Sequence, residues 1–193
     1  MNDAILVYLH GFNSSGNSNT STQLRLQLQN EVVSPSYRFV NALLAEKDIE
    51  DVVRWAQNRT ENVIVIGTSL GGFWANYFSE KYSLKSLLIN PVVDPYGSIN
   101  KYIGQQKNFG TGEDYEFTQE DWESYKNYVS ANTFEQKNIF LSINDEVLDY
   151  RIAQDFFKNR NTIIDDIGGH RISDIPRLVA TLQQFFPNQI KLK

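Results

Sequence analysis

Short apolar runs alternate with amphipathic stretches along most of the chain. Strand-sized apolar runs occupy residues 4–9 (AILVYL), 62–66 (NVIVI), 86–89, 138–143 and 162–164. The first two are almost continuously apolar, which is typical of strands covered on both faces. Residues 32–40 form a mixed stretch that contains Pro35. This stretch therefore predicts a weak or edge strand at most.

Helical periodicity separates these runs. We expect helices in residues 20–29, 48–58, 73–81, 149–158 and 173–186. In the last of them, Ser173 is the expected N-cap. Pro176 would then fall at the third helical position, inside the first turn, where a missing N–H group costs little.

Alternating strands and helices predict an α/β fold with a mostly parallel sheet and helices on both faces. We expect residues 1–193 to form a single domain of this kind. Between residues 92 and 137 the pattern breaks down into a segment rich in Gly, Tyr, Asn and acids, in which only residues 120–129 look helical. This segment predicts a small cap-like insertion. In such sheets, ligands bind at the carboxyl ends of the strands.

Composition narrows the class of protein. The chain has 193 residues, of which 41% are hydrophobic and 21% are charged, as in an ordinary globular domain. It contains no cysteine, so disulfides, thiolate metal sites and a cysteine nucleophile are excluded. Two histidines leave little material for a zinc site. We therefore expect no metal site.

Charge and hydropathy also limit the partners. A net charge of −5 argues against nucleic acid, since phosphate binding needs a concentrated basic face. The apolar runs are far shorter than the roughly 20 residues of a membrane span. Asp3 stands where a secretory signal would carry a basic residue. These features predict a cytoplasmic protein whose partner is a small molecule, and they leave its oligomeric state open.

A G-x-S-x-G sequence joins the second apolar run to the next expected helix: Gly67, Thr68, Ser69, Leu70, Gly71. A strand that turns directly into a helix strains the backbone of its corner residue, and the two glycines would relieve the crowding around it. The serine hydroxyl would then lie at the N-terminus of a helix. The pattern predicts a nucleophile, and the alternatives are a Gly-rich turn or an anion-binding helix start.

The loop after the first strand is the expected source of a second oxyanion-binding N–H group. Acyl transfer through a tetrahedral oxyanion needs two backbone donors aimed at one point. Leu70, next to the serine, would supply one of them, and Phe12 is placed to supply the other. We interpret His10 in the same loop as structural, with its ring bonded to the loop backbone rather than acting as a base.

A serine hydroxyl needs a base, and His170 is the candidate that remains. It lies in a Gly-rich loop after the last strand. A carboxylate must orient the imidazole. Asp145 is the first acid beyond strand 138–143, with Glu146 and Asp149 as rivals. The chain order of serine, aspartate and histidine is that of an α/β-hydrolase.

Four segments resemble signature segments of the YqiA/YcfP-like small bacterial esterases: residues 8–15 (YLHGFNSS), 67–72 (GTSLGG), 90–95 (NPVVDP) and 145–151 (DEVLDYR). The resemblance spans nearly the whole chain. It implies a compact α/β-hydrolase with serine esterase activity on short acyl esters and no cofactor. The family's nucleophile, acid and base fall on Ser69, Asp145 and His170. Thr68 stands where a serine is expected, and Arg171 follows the base.

The resulting hypothesis is a serine carboxylesterase whose oxyanion is held by the N–H groups of Phe12 and Leu70. The aromatic residues of the insertion, including Trp122, would line an acyl pocket or pack on the surface. The alternatives are a thioesterase, which would use the same groups, and a non-catalytic binding protein of the same fold. A peptidase is less favoured, since nothing in the sequence indicates a peptide groove.

Overall fold

The computed structural model describes residues 3–166 and 168–193. Its strands are β1 (Ile5–Leu9), β2 (Glu31–Val33), β3 (Val63–Thr68), β4 (Lys85–Ile89), β5 (Gly104–Lys107), β6 (Asp114–Phe117), β7 (Lys137–Ser142) and β8 (Asn161–Asp165). Its helices are α1 (Asn19–Gln27), α2 (Ala42–Gln57), α3 (Leu70–Tyr82), α4 (Pro95–Ile99), α5 (Gln119–Glu123), α6 (Tyr150–Phe156) and α7 (Ile175–Phe185), with a 3₁₀ turn at Asn100–Tyr102.

Six of the strands form one sheet in the order β2-β1-β3-β4-β7-β8. Every pairing in it is parallel. The predicted α/β fold with a mostly parallel sheet is therefore confirmed. The mixed stretch contributes only the short β2, which lies at an edge as expected. Strands β3, β4, β7 and β8 are consecutive neighbours, so the loops that follow them meet along one edge of the sheet.

Alternate residues of the central strands point to opposite faces of the sheet and pack into two separate hydrophobic cores. Val63 and Val65 of β3 pack on one face with residues of α2 and α3, including Phe73. Ile64 and Ile66 pack on the other face with residues of α1 and α7. Each fully buried large apolar side chain stabilises the fold by about 1.5–3 kcal/mol. The unbroken apolar run of β3 thus follows from burial on both faces.

Helix α2 starts earlier than its apolar face predicts. It begins at Ala42, six residues before the expected start, and the Asn41 side chain caps it by accepting from the N–H groups of Leu43 and Leu44. Both leucines are exposed, so their hydropathy hides the amphipathic pattern. Helix α2 has 16 residues, and no helix in residues 3–166 or 168–193 is long and apolar enough to cross a membrane.

The segment from residue 92 to residue 137 has more structure than the sequence pattern predicts. It contains α4, the 3₁₀ turn, an antiparallel hairpin of β5 and β6, and α5. The helix expected over residues 120–129 is wrong in length, because α5 ends at Glu123. Beyond it the chain makes tighter turns, in which the N–H of Tyr125 donates to the Trp122 carbonyl.

The start of the last helix also differs from its prediction. Asp174, not Ser173, is the N-cap of α7, and its side chain accepts from the Arg177 N–H at 2.9 Å. The Ser173 carbonyl instead accepts from the Ile175 N–H in the preceding turn. Pro176 is therefore the second helical residue, still within the turn where its missing N–H group is harmless.

Candidate active site

Ser69 is the corner residue between β3 and α3. Its backbone has φ of +58° and ψ of −122°, a conformation that a residue with a side chain rarely adopts. A Cβ on Gly67 would overlap the Gly71 carbonyl, and a Cβ on Gly71 would overlap the Leu9 carbonyl. The expected strained turn, with glycines on either side of it, is therefore present.

The backbone N–H groups beside Ser69 differ in their hydrogen bonding. The N–H groups of Gly72 and Phe73 donate to the Ser69 carbonyl, as in a regular helix start. Across residues 3–166 and 168–193, the N–H groups of Leu70 and Phe12 have no acceptor. Residue 11, which precedes Phe12, is a glycine whose added Cβ would lie 3.3 Å from the Ser69 Cβ. The loop after β1 thus passes directly against the serine.

The β5–β6 hairpin holds the loop that carries Phe12. Asn13 has φ of +58°, and its side-chain oxygen accepts from the Tyr115 hydroxyl at 2.6 Å. The Asn13 carbonyl accepts from the Phe109 N–H at 2.9 Å. The Phe12 ring stacks on Tyr102, with 4.9 Å between centroids. The hairpin therefore fixes both the main chain and the side chains of this loop.

His10 packs inside the same loop as a neutral ring. Its Nδ1 lies 2.8 Å from the Gly11 carbonyl oxygen, which confirms the expected bond to the loop backbone. The ring stacks on Tyr37 at 4.3 Å, and its Nε2 is buried without a partner in the described part of the chain. Burial lowers the pKa of His10 to about 4, only partly offset by the bond to Gly11. His10 is therefore neutral near pH 7.

The structure brings Asp145 and His170 together. Nδ1 of His170 lies 2.9 Å from Oδ2 and 3.0 Å from Oδ1 of Asp145. The Asp145 side chain is 1% exposed, and its Oδ1 also accepts from the N–H groups of Val147 and Leu148 at 2.8 Å. Burial raises the pKa of Asp145, but these hydrogen bonds outweigh it and lower the pKa below its usual value. The carboxylate is thus ionised and aligned with the imidazole.

The two rival acids have other contacts. Glu146 Oε2 accepts from the backbone N–H of His170 at 2.9 Å, and this bond is the main cause of the lowered pKa of Glu146. Asp149 caps α6 and pairs with Arg151 at 2.8 Å. In the described part of the chain, neither acid bonds the imidazole. Of the three candidates, only Asp145 is placed to orient it.

Ser69 and His170 are not joined by a direct hydrogen bond between described atoms, but Asn90 connects their loops. The Ser69 N–H donates to the Ile89 carbonyl at 3.0 Å. The next residue, Asn90, donates from its side chain to the carbonyls of Gly169 and His170, both at 3.1 Å. Sequence reasoning missed the role of Asn90. The available signal was a polar residue between a buried apolar strand and a proline.

The structure also shows the contacts of Trp122, Arg171 and Thr68, three residues that the sequence analysis singled out. Trp122 stacks on Tyr96 at 4.2 Å and donates to its carbonyl at 2.8 Å, within the 92–137 segment. Arg171 is exposed, and its guanidinium carbon lies 5.7 Å from the Phe109 ring centroid at the hairpin tip. Thr68 Oγ1 lies 3.1 Å from the Tyr8 hydroxyl. No group of three His, Asp or Glu residues in 3–166 and 168–193 could hold a metal ion.

Solved structures share this fold at low sequence identity. Est1E from Butyrivibrio proteoclasticus has a TM-score of 0.71 at 14% identity, covering 97% of this chain and 88% of its own. A structure described with the metagenome-derived lipolytic enzymes LipS and LipT has a TM-score of 0.67 at 13% identity, covering 94% of both chains. Mouse alpha/beta hydrolase domain-containing protein 10 has a TM-score of 0.66 at 14% identity, covering 95% of this chain and 89% of its own. The fold is therefore that of the α/β-hydrolases.

Sequence comparison identifies the family. UPF0227 proteins of Yersinia enterocolitica and Yersinia pseudotuberculosis are each 25% identical over 196 residues, covering 94% of this chain and 98% of theirs. The family described as "Uncharacterised protein family (UPF0227)" matches residues 5–187. The resemblance to YqiA/YcfP-like proteins is confirmed at this level: the chain belongs to the UPF0227 family.

Proposed function

We propose that this protein is a serine hydrolase that cleaves short-chain acyl esters, with Ser69 as nucleophile, His170 as base and Asp145 as the orienting acid. The observation that carries the proposal is the hydrogen bond from His170 Nδ1 to the buried Asp145 carboxylate. Because that carboxylate accepts the hydrogen bond from the Nδ1–H group, the free lone pair of the neutral ring is on Nε2. Nε2 is therefore the proton acceptor for a serine.

The reaction proceeds through an acyl-enzyme. Ser69 Oγ attacks the ester carbonyl carbon while His170 Nε2 takes the hydroxyl proton. The tetrahedral intermediate collapses, the carbon–oxygen bond to the alcohol breaks, and His170 returns the proton to the leaving oxygen. Water then attacks the acyl-enzyme with the same base and releases the acid. Hydrogen bonds between nucleophile and base are often long without substrate and shorten when it binds.

The N–H groups of Leu70 and Phe12, which have no acceptor among the described residues, are the oxyanion donors. Both flank Ser69, one as its chain neighbour and the other through the glycine that packs against it. Each such donor typically stabilises the transition state by about 3 kcal/mol. The Leu70 group also lies at the positive end of α3, a helix of 13 residues, which favours developing negative charge.

Residues 92–137 act as the cap. The hairpin in this segment bonds Asn13, in the loop that packs against Ser69. The ring of Phe109 at its tip lies 5.7 Å from the guanidinium carbon of Arg171, next to the base. The hairpin therefore lies against both the oxyanion loop and the histidine loop. An acyl chain entering between them would meet the partly buried rings of Phe12 and Tyr102.

A fluorophosphonate probe tests the nucleophile. It should label the protein at Ser69, and Ser69→Ala should not be labelled. Ser83→Ala is the matched control, because Ser83 caps the other end of the same helix and also has positive φ, at +53°. Equal labelling of Ser69→Ala and of the Ser83→Ala control would refute the assignment.

Substrate panels test the reaction. We expect hydrolysis of p-nitrophenyl esters to be fastest with short acyl chains, because the stacked rings of Phe12 and Tyr102 beside the oxyanion loop would obstruct a long one. Acyl thioesters assayed in parallel separate an esterase from a thioesterase, which would use the same three side chains. A folded protein that labels at Ser69 but turns over no ester, thioester or amide would favour a binding role instead.

A further inference from the structure

We propose that Asn90 is a positioning residue that holds the His170 loop in register with Ser69. The inference rests on the proposed function and extends it to a residue outside the triad. Asn90 follows β4, the strand between β3, which leads to Ser69, and β7, which leads to Asp145. Its side chain links the loop that carries His170 to β4, the strand next to the one that leads to Ser69.

The topology makes such a link necessary. Strand β8, which leads to His170, is three strands away from β3 in the sheet. At about 4.8 Å per strand, the loop after β8 must return across roughly 14 Å to bring the imidazole to the serine. Gly168, in this loop, has φ of +85°, and residues 168–174 lie outside regular secondary structure. Its position therefore depends on the hydrogen bonds that hold its backbone.

Both ends of the Asn90 carboxamide form hydrogen bonds that hold the His170 loop. Nδ2 donates to the carbonyls of Gly169 and His170, both at 3.1 Å, and Oδ1 accepts from the Ser142 N–H at 2.8 Å. Asn90 is 3% exposed, so water does not readily substitute for these bonds. Two donors and one acceptor in this geometry match a carboxamide. A carboxylate of the same shape cannot donate to the two carbonyls.

The backbone of Asn90 belongs to the segment that fixes Ser69. Its N–H donates to Phe140 of β7 at 2.9 Å, and its φ of +41° lies in the left-handed region. On one side of it, the Ile89 carbonyl accepts from the Ser69 N–H; on the other side, the Val92 N–H donates to the Ser69 carbonyl at 3.1 Å. A displacement here would move the serine and the histidine relative to each other.

Ser142 supports the same loop from β7. It is fully buried, and its hydroxyl donates to the Gly168 carbonyl at 3.0 Å. Together, Asn90 and Ser142 bind three consecutive carbonyls, those of residues 168 to 170. These hydrogen bonds to the backbone are separate from the Asp145 contact, which orients the His170 ring. The two act on different parts of the same residue, so each can be tested alone.

The chain contains a matched control for Asn90. Asn30 is 5% exposed, donates from Nδ2 to the carbonyls of Ala4 and Gln189 at 3.0 and 2.8 Å, and accepts from the Lys191 N–H at 2.8 Å. It therefore has the same pattern of two donated bonds and one accepted bond, at the opposite edge of the sheet. Asn30→Asp should cost stability without touching the catalytic loops.

The experiment compares Asn90→Asp, Asn90→Gly and Asn30→Asp with the parent protein. The readouts are kcat and KM for p-nitrophenyl acetate, the rate of fluorophosphonate labelling, and urea unfolding. The glycine variant adopts positive φ readily, so it removes the carboxamide without adding backbone strain. We expect both Asn90 variants to lose 10- to 100-fold in kcat and in labelling rate, with KM changed less than threefold.

Asn30→Asp should lower the urea midpoint while keeping kcat within threefold of the parent. The proposal is overturned if the folded Asn90 variants keep a kcat within threefold of that of Asn30→Asp. It is also overturned if KM rises in these variants while kcat does not fall. If Asn90→Asp does not fold, Asn90→Gly and Ser142→Ala give the same comparison. A parent protein that is not labelled at Ser69 would instead refute the proposed function, so the two failures are distinct.

Discussion

Glu146 accepts a hydrogen bond from the backbone N–H of His170 at 2.9 Å, so the residue next to Asp145 holds the main chain of the same histidine whose ring Asp145 orients. The two adjacent acids thus have different tasks. Asp145 is buried and bonds the imidazole, whereas Glu146 is exposed and bonds the His170 backbone. Their substitutions should therefore have different kinetic consequences.

Asp145→Asn should lower kcat by about 10⁴-fold while KM changes little. The amide preserves the shape of the side chain but stabilises the wrong tautomer of His170, which removes the basic lone pair from Nε2. Steady-state kinetics with p-nitrophenyl acetate measure the change. Asp149→Asn is the control, since Asp149 pairs with Arg151 on the surface and should leave kcat within threefold. Equal losses in the two variants would contradict the assignment of the acid.

Glu146→Gln should keep most of the activity, and Glu146→Ala should lose about tenfold in kcat. The glutamine retains a side-chain oxygen that can accept from the His170 N–H, whereas alanine leaves that donor without its partner. The pair of variants separates the hydrogen bond from the charge. A loss in Glu146→Gln as large as in Glu146→Ala would show that the negative charge, not the bond, is what matters.

The site could be predicted from the sequence because its residues follow strands with strong hydrophobic signals. Ser69 and Asp145 follow β3 and β7, whose apolar runs are unmistakable, and parallel strands bring such loops to one edge. The choice of Asp145 over Glu146 came from position alone. The contact with the His170 ring agrees with that choice, while the catalytic role remains a prediction.

Elements that depend on tertiary contacts could not be predicted in this way. The β5–β6 hairpin is short and polar, and it is fixed by bonds such as that from Tyr115 to Asn13, about 100 positions away in sequence. The start of α2 was hidden by the exposed Leu43 and Leu44. Asn90 carries no local signal for its partners, because they lie on a loop 79 and 80 positions away.

Tyr115→Phe should lower kcat by about tenfold with little change in stability. It removes one hydrogen bond, to the Asn13 side chain at 2.6 Å, and so loosens the loop that presents the Phe12 N–H to the oxyanion. Tyr128→Phe is the matched control, because it loses a bond of similar length, 2.7 Å to Glu46 of α2, which is not part of the loop that carries Phe12. If both variants keep full kcat, the hairpin does not align this donor.

His10 makes the stability of the fold depend on pH in a defined window. Burial lowers its pKa to about 4 in the folded protein, against 6.5 when exposed. Between these values the unfolded chain binds a proton that the folded protein does not, so stability falls as the pH falls from 6.5 to 4 and levels off below. At about 1.4 kcal/mol per pKa unit, the free energy of unfolding falls by about 3 kcal/mol.

His10→Asn tests this dependence, because the asparagine side chain can still donate a hydrogen bond near Gly11 but does not titrate. Urea unfolding from pH 8 to pH 4 should therefore show this extra loss in the parent only, and parallel curves for the two proteins would contradict the neutral, buried ring.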